Sequence, residues 1–240
     1  LLLTFIFGPY FGEVARGYFI GNGMEEEAAK AAAQSYWAFG LFVASLAILV
    51  LAPILGAIAD GTGRRLVWVW FFSAFYIFGS LGLWTIAPGG DNLFWAVVFF
   101  GLGFIGMEFA TIFTNALMPS LSDQDDLGAI SGSGFAFGYL GGVLALAIML
   151  ALFAENSATG KTLIGIPPIF GLDAALREGT RSVGPFTALW YVIFMVPFFL
   201  WVREGGRRSP IRLGQSLRNL WALIVSLRER QSLGAQLLSS

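Results

Sequence analysis

The feature that most constrains this chain is the recurrence of span-length apolar stretches broken only by isolated charges. About 20 residues suffice for a helix to cross a bilayer core of roughly 30 Å. A helix apolar on every side belongs in lipid or inside a very large protein, and 240 residues cannot build such a core around six helices. Only 12% of the residues are charged, about half the roughly 25% of a soluble domain. The expected fold is an all-α membrane protein with six transmembrane helices, and lipid is its first partner.

The spans are expected at Leu1–Ile20, Ala31–Ala59, Leu66–Ala87, Leu93–Met118, Ala129–Ala154 and Val183–Val202. Pro53, Pro119 and Pro197 fall near span ends, where proline is tolerated, while Gly8-Pro9 predicts a kink in span one. The chain opens at Leu1 inside an apolar run and shows no charged n-region or small-residue cleavage site. It reads as truncated within its first span. Residues 1–202 then form a six-span bundle, and 203–240 a linker.

Arginine placement sets the expected orientation. One side carries Arg64, Arg65, Arg203, Arg207, Arg208, Arg212, Arg218, Arg228 and Arg230; the other carries Arg16, Lys30, Lys161, Arg177 and Arg181. The richer side is expected to be cytoplasmic, which puts both ends of the segment in the cytosol. Within the linker, Leu213, Leu217, Leu220, Ile224 and Leu227 share one helical face with Trp221 beside them. That pattern suits a basic amphipathic helix at the membrane interface or one packed on protein.

The chain has no cysteine and no histidine. Disulfides, iron–sulfur clusters and thiolate zinc sites are excluded, and so are the commonest general base and metal ligand. No cofactor, metal or nucleic-acid partner is expected.

Between spans two and three runs Gly56-Ala-Ile-Ala-Asp60-Gly-Thr-Gly63-Arg64-Arg65. Glycines for a reversal, a capping acid and topology-setting arginines account for the residue types. They do not account for the spacing G-x-x-x-D-x-x-G-R-R, which resembles the signature loop of the major facilitator superfamily. A second stretch, Asn115-Ala-Leu-Met-Pro119-Ser-Leu121 and Gly128-Ala-Ile-Ser131-Gly132-Ser-Gly134-Phe-Ala-Phe-Gly138-Tyr139-Leu-Gly141-Gly142, is similar to the "unknown major facilitator" group, related to vacuolar amino-acid effluxers. Phe5-Ile-Phe-Gly-Pro9-Tyr10-Phe11 and the tail through Arg230 resemble the same group. The resemblance implies half of a twelve-span secondary transporter, with Gly56, Asp60, Gly63, Arg64 and Arg65 gating one of two alternating states. It implies a small polar solute such as an amino acid, a C-terminal six-helix half or a second copy as partner, and a bacterial inner membrane as location. The basic residue of span four and the glycine–proline motif of span five, found in other facilitators, have no counterpart; Tyr139 follows Gly138 instead. Drug or sugar transport is disfavoured.

Glu108 lies near the middle of span four, where a charge costs on the order of 2.5–3.5 kcal/mol, and Thr111 and Asn115 share its helical face. The acid is either a protonatable, solute-contacting group or a neutral one hydrogen-bonded to a neighbouring helix. Ser73, Tyr76 and Ser80 in span three, Ser131 and Tyr139 in span five, and Thr187 and Tyr191 in span six are cavity candidates. The alternatives are hydroxyls bonded to their own helices and tyrosines at the interface. Glu13 and Arg16 are expected to form an intrahelical pair or an outer gate. Gly134, Gly138 and Gly142 have small-xxx-small spacing for helix packing.

Transport leads. Ser131-Gly132-Ser133-Gly134 resembles a rhomboid-protease serine motif, but no histidine exists to activate a serine, so no enzyme is expected. The alternative is a non-transporting subunit or half-transporter packed in a larger membrane complex.

Overall fold

The computed structural model describes residues 1–118 and 127–204, and of residues 60–62 and 127 the backbone alone. A π-turn, Leu3–Phe7, leads into α1, Gly8–Gly21. There follow α2, Glu26–Thr62; α3, Arg65–Gly82, extended by a 3-10 turn Leu83–Thr85; and α4, Leu93–Leu117. Then come α5, Leu127–Ile148, ending in a π-turn Met149–Phe153; the short α6, Glu178–Arg181; and α7, Val183–Trp201. Among the described residues, five helical stretches are long and apolar enough to cross a membrane: 26–59, 65–85, 93–117, 128–153 and 178–201. The first expected span is helical, but its α-helical part is only 14 residues, so it does not stand among those five.

The kink expected at Gly8-Pro9 takes the form of the π-to-α switch. Gly8 N–H reaches back to Leu3 O, and Pro9, with no N–H of its own, opens α1. Pro197, expected near a span end, lies in the last turns of α7, while Pro53, expected near the end of its span, lies further inside α2. In α2 the reason is length: its 37 residues reach about 55 Å at 1.5 Å per residue. The connection expected over Asp60–Arg65 is correspondingly shorter. Asp60 is still helical, and the reversal falls on Gly63, whose left-handed φ of 61° lets its N–H close on Ala59 O at 3.0 Å. Residues 119–126 of the connection expected over Pro119–Gly128, and the linker helix from Leu213, lie outside the described residues.

Two apolar clusters hold the bundle. One, at the end bearing the 154–182 loop, gathers Phe7, Tyr10, Phe11, Leu83, Ile86, Met149 and Val183. The other, at the Arg64–Arg65 end, gathers Ala59, Val69, Phe72, Phe109, Phe113 and Leu117. Between them α3 and α4 touch backbone to backbone. A Cβ on Gly106 would stand 2.5 Å from Tyr76 N and 2.8 Å from Phe72 O, and one on Gly79 would collide with the Gly103 backbone. Lipid supplies no hydrophobic force between helices, so this close approach, which small residues allow, is what makes the contact strong.

The glycines of α5 behave differently. Added Cβ atoms at Gly134 and Gly138 meet nothing within 4 Å, and Gly142 meets only the Leu1 side chain. The helix enters the core through Ala145 and Met149, while Phe135, Phe137 and Leu140 are exposed.

Gly106→Val is expected to destabilise the folded protein by about 3 kcal/mol, because backbone rather than a mobile side chain blocks the new atoms. Thermal unfolding of the detergent-solubilised protein should show a clearly lowered midpoint.

Candidate functional site

The polar stripe of α4 is open. Glu108 is half-buried, Thr111 and Asn115 are exposed, and among the described residues no hydrogen bond or ion pair holds the Glu108 carboxylate. Thr111 donates its hydroxyl to Met107 O at 2.8 Å, which leaves its oxygen free to accept. The opposite face of α4 carries Gly103, Gly106, Phe109 and Phe113 into the core. Among the described residues, the stripe is therefore the side of α4 that the other helices leave largely open.

Ser73 and Tyr76 lie elsewhere, in a seam between α3 and α7. Ser73 donates to Val69 O at 2.6 Å and lies 2.7 Å from the Tyr191 hydroxyl. A serine has one proton to give, so Tyr191 is the donor in the second bond. Tyr76 meets the Tyr191 ring edge-on at 4.7 Å. Beside them is a cavity of about 120 Å³ with Trp70, Ile77 and Met195 in its wall. Ser80 and Thr187, on the same two helices, are buried with unpaired hydroxyls. Tyr139 is exposed on α5 and joins neither group.

At one end of the bundle Arg65 meets an acid not marked by the sequence pattern. The first N–H groups of a helix lack partners, and in α3 two of them, Arg65 at 2.8 Å and Leu66 at 3.0 Å, donate to the Glu204 carboxylate. That acid follows α7 and caps α3 across 139 residues of sequence, its charge favoured by the helix dipole. The Arg65 guanidinium donates to Ala116 O near the end of α4 at 3.0 Å. Spans three, four and six are thus tied at one point. Arg64 is exposed.

At the other end the pair expected between Glu13 and Arg16 does not form, because each finds a partner on another element. Arg16 lies 3.5 Å from Glu26 of α2, and Glu13 lies 3.3 Å from Arg177 of the long loop. Glu13 and Arg16 also face a groove of about 290 Å³ with Lys30 and Gln34 on its far side. Arg177 is the hub. Its guanidinium sits 5.7 Å above the Tyr10 ring, within the range of a cation–π contact, and its Nε lies 3.1 Å from Glu155 Oε1. The Nε–H does not point along that line, so the attraction is ionic.

Glu155 itself is fully buried at its side chain. It accepts from Thr180 Oγ1 at 2.7 Å and from Thr180 N at 3.1 Å. Gly179 makes this possible, since a Cβ there would strike Phe153 O and the carboxylate. Arg181 completes the arrangement by donating to Trp84 O at 2.6 Å while lying over the Trp84 ring. Both stems of the 154–182 loop are thereby clamped to α1 and to the end of α3. Sequence reasoning used Arg177 and Arg181 only for orientation and left Glu155 as a loop residue. The available signal was an acid directly after an apolar helix, followed by Arg177-Glu178-Gly179-Thr180.

Long apolar helices, with no strand among the described residues and one mid-span acid, define an all-α membrane protein with charge concentrated at the helix ends. The chain belongs to the family described as "Vacuole effluxer Atg22 like", which it matches over residues 28–234. It is similar to the "Uncharacterized MFS-type transporter YxiO" of Bacillus subtilis (strain 168), with 22% identity over 211 residues. That match covers 86% of this chain and 46% of the relative, so the chain spans about half the length of the curated relative it matches. No solved structure matches.

Arg177→Ala leaves Glu155 buried without its counter-ion and is expected to destabilise by about 3–5 kcal/mol. Glu13→Ala removes a half-exposed pair and should change stability by at most about 1 kcal/mol. Thermal unfolding of both variants, with limited proteolysis in the 154–182 loop, separates the two. At the opposite end, Glu204→Ala is expected to lose about 1 kcal/mol with the α3 cap, visible as faster amide exchange at Arg65 and Leu66.

Proposed function

We propose that this chain forms the N-terminal six-span half of a major-facilitator secondary transporter that moves a small polar solute by alternating access. Family membership supports the transport class. The observation that carries the site is the uncovered α4 stripe: Glu108, Thr111 and Asn115 present an acid, an acceptor oxygen and an amide. A second six-helix bundle seated over that stripe would close a midplane cavity of the kind in which such transporters bind solutes and coupling ions. Glu108 then either takes up a proton or contacts the solute. Amino acids are the solute class that the effluxer family suggests.

The Arg65–Glu204–Ala116 junction supports a gating role for the Gly56–Arg65 segment. It binds spans three, four and six at the face where a rocking bundle must hold one state and release it. Arg64 and Asp60 extend that role toward the second half, and Glu13 with Arg16 would act at the opposite mouth. The arginine-rich end faces the cytosol in this reading, and the membrane is a bacterial inner membrane.

The test is solute flux in proteoliposomes carrying the full-length protein. Glu108→Gln keeps the shape of the side chain and removes its charge. A drop of at least tenfold in flux driven by a pH gradient, with an unchanged elution profile, is the expected outcome. Undiminished flux in that variant would remove Glu108 from the mechanism. Absence of flux for the unaltered protein across polar solutes would favour a structural subunit.

A further inference from the structure

The stretch Thr162-Leu-Ile-Gly-Ile-Pro-Pro-Ile-Phe170-Gly-Leu172 connects membrane-crossing helices, yet it carries no charge over 11 residues. Its apolar side chains point away from the protein: Leu163 is 76% exposed, Ile164 58% and Phe170 85%. In a loop standing in water, that much apolar surface would be unfavourable. Phe170 is also held at φ 62°, a left-handed conformation uncommon for a bulky residue. The backbone therefore turns the ring outward rather than tucking it in.

The depth of this loop follows from one hydrogen bond. At the end of α5 the π-turn pairs Ala154 N with Met149 O at 2.8 Å. In an α-helix Ala154 N–H would instead take Leu150 O. The π register frees that carbonyl, and Leu163 N donates to it at 3.0 Å. The loop tip thus folds back beside Leu150, within the last turn of a membrane-crossing stretch. Phe170 lies at the same end, with its ring 6.0 Å from that of Phe153.

The backbone of the tip is suited to poor hydration. Thr162 N donates to Ile166 O at 2.8 Å and Gly165 N to Thr162 O at 2.9 Å, while Pro167 and Pro168 have no N–H to satisfy. Backbone polar groups near the hydrocarbon must be paired internally, and at the tip the Thr162, Leu163 and Gly165 N–H groups are. The clamp of Glu155, Arg177 and Thr180 fixes both stems, so the tip cannot drift from that level.

We propose that residues 163–170 are an interfacial anchor, with Leu163, Ile164 and Phe170 inserted at the headgroup–acyl boundary of the leaflet on the loop side. The occupant of this apolar face is lipid, because the tip is hydrogen-bonded to Leu150 within the last turn of a membrane-crossing stretch. Burying apolar side chains in that boundary is how interfacial segments bind membranes. The anchor would hold the loop end of spans five and six against the bilayer while other parts of the bundle move.

The described chain has no cysteine, so spin-labelled cysteines can be introduced singly at Ile164, Phe170 and, as a reference on the charged side of the loop, Ala158. The full-length protein, with cysteines elsewhere replaced, is reconstituted in phosphatidylethanolamine–phosphatidylglycerol liposomes. Collision rates of each label with oxygen, which partitions into lipid, and with a water-soluble nickel complex are compared. At Ile164 and Phe170 the oxygen-to-nickel ratio should exceed that at Ala158 at least threefold. Equal ratios at all three positions would place the loop in water, and exclusion of both reagents at Ile164 and Phe170 would place it under protein; either overturns the proposal. These substitutions replace exposed side chains, and an unchanged elution profile checks that each variant is folded. Phe170→Asp provides a second reading: the oxygen-to-nickel ratio at Ile164 should fall toward the Ala158 value.

Discussion

In a bilayer, apolar helices gain nothing from hiding beside one another, since lipid tails are as apolar as leucine. What remains is closeness of contact, and this bundle depends on the approach of α3 to α4. Gly79 and Gly106 bring the two backbones into contact over the middle of the spans. Aromatic rings fill the space where the helices diverge: Phe72 stacks on Phe109 at 4.6 Å, and Trp68 on Phe113 at 5.9 Å. The other helices attach to this pair through the apolar clusters around Phe7 and Phe72, through the Ser73–Tyr191 seam with α7, and through the polar ties at the ends.

Those ties follow a consistent physical logic. A charge is tolerable where water or a helix terminus is near, and most charged groups here are found there. Glu204 uses free N–H groups at the start of α3. Glu155 is buried, but it lies past the end of α5 with an arginine and a threonine to satisfy it. Removing one partner from either arrangement leaves a group that lipid cannot solvate, so the ties specify geometry even where their net contribution to stability is small.

Much of the fold was legible in the sequence because hydropathy and span length are dictated by the bilayer and not by tertiary detail. Five of the expected spans coincide, within a few residues, with helices long and apolar enough to cross. The vacuolar-effluxer resemblance agrees with the family match. The errors have specific causes. Pro53, expected near a span end, lies inside α2 because the helix continues past the expected end at Ala59 to Thr62. Small-residue spacing marks Gly134, Gly138 and Gly142, but spacing does not reveal which face meets a neighbour, and among the described residues the backbone-to-backbone contacts of α3 and α4 fall at Gly79 and Gly106. The pairing of Glu13 with Arg16 followed from local spacing, and long-range partners, Arg177 and Glu26, displaced it. Glu155 and Glu204 escaped notice because their partners lie 25 and 139 residues away, a separation that no local pattern encodes.

The two sides of α4 connect the fold to the proposed chemistry. Gly106 and Glu108 are two residues apart, which at about 3.6 residues per turn places them on nearly opposite faces. The glycine face is pinned against α3, so α4 cannot rotate or withdraw without breaking a backbone contact. On the acid face, Thr111 and Asn115 are exposed, and among the described residues no hydrogen bond or ion pair holds Glu108. A protonatable group that must meet a solute or a second bundle in a fixed geometry needs a rigid support behind it. Had Glu108 been on α5, whose glycine face is open and whose first half is exposed, nothing in these residues would fix its position. The helix that carries the acid is the one most tightly held.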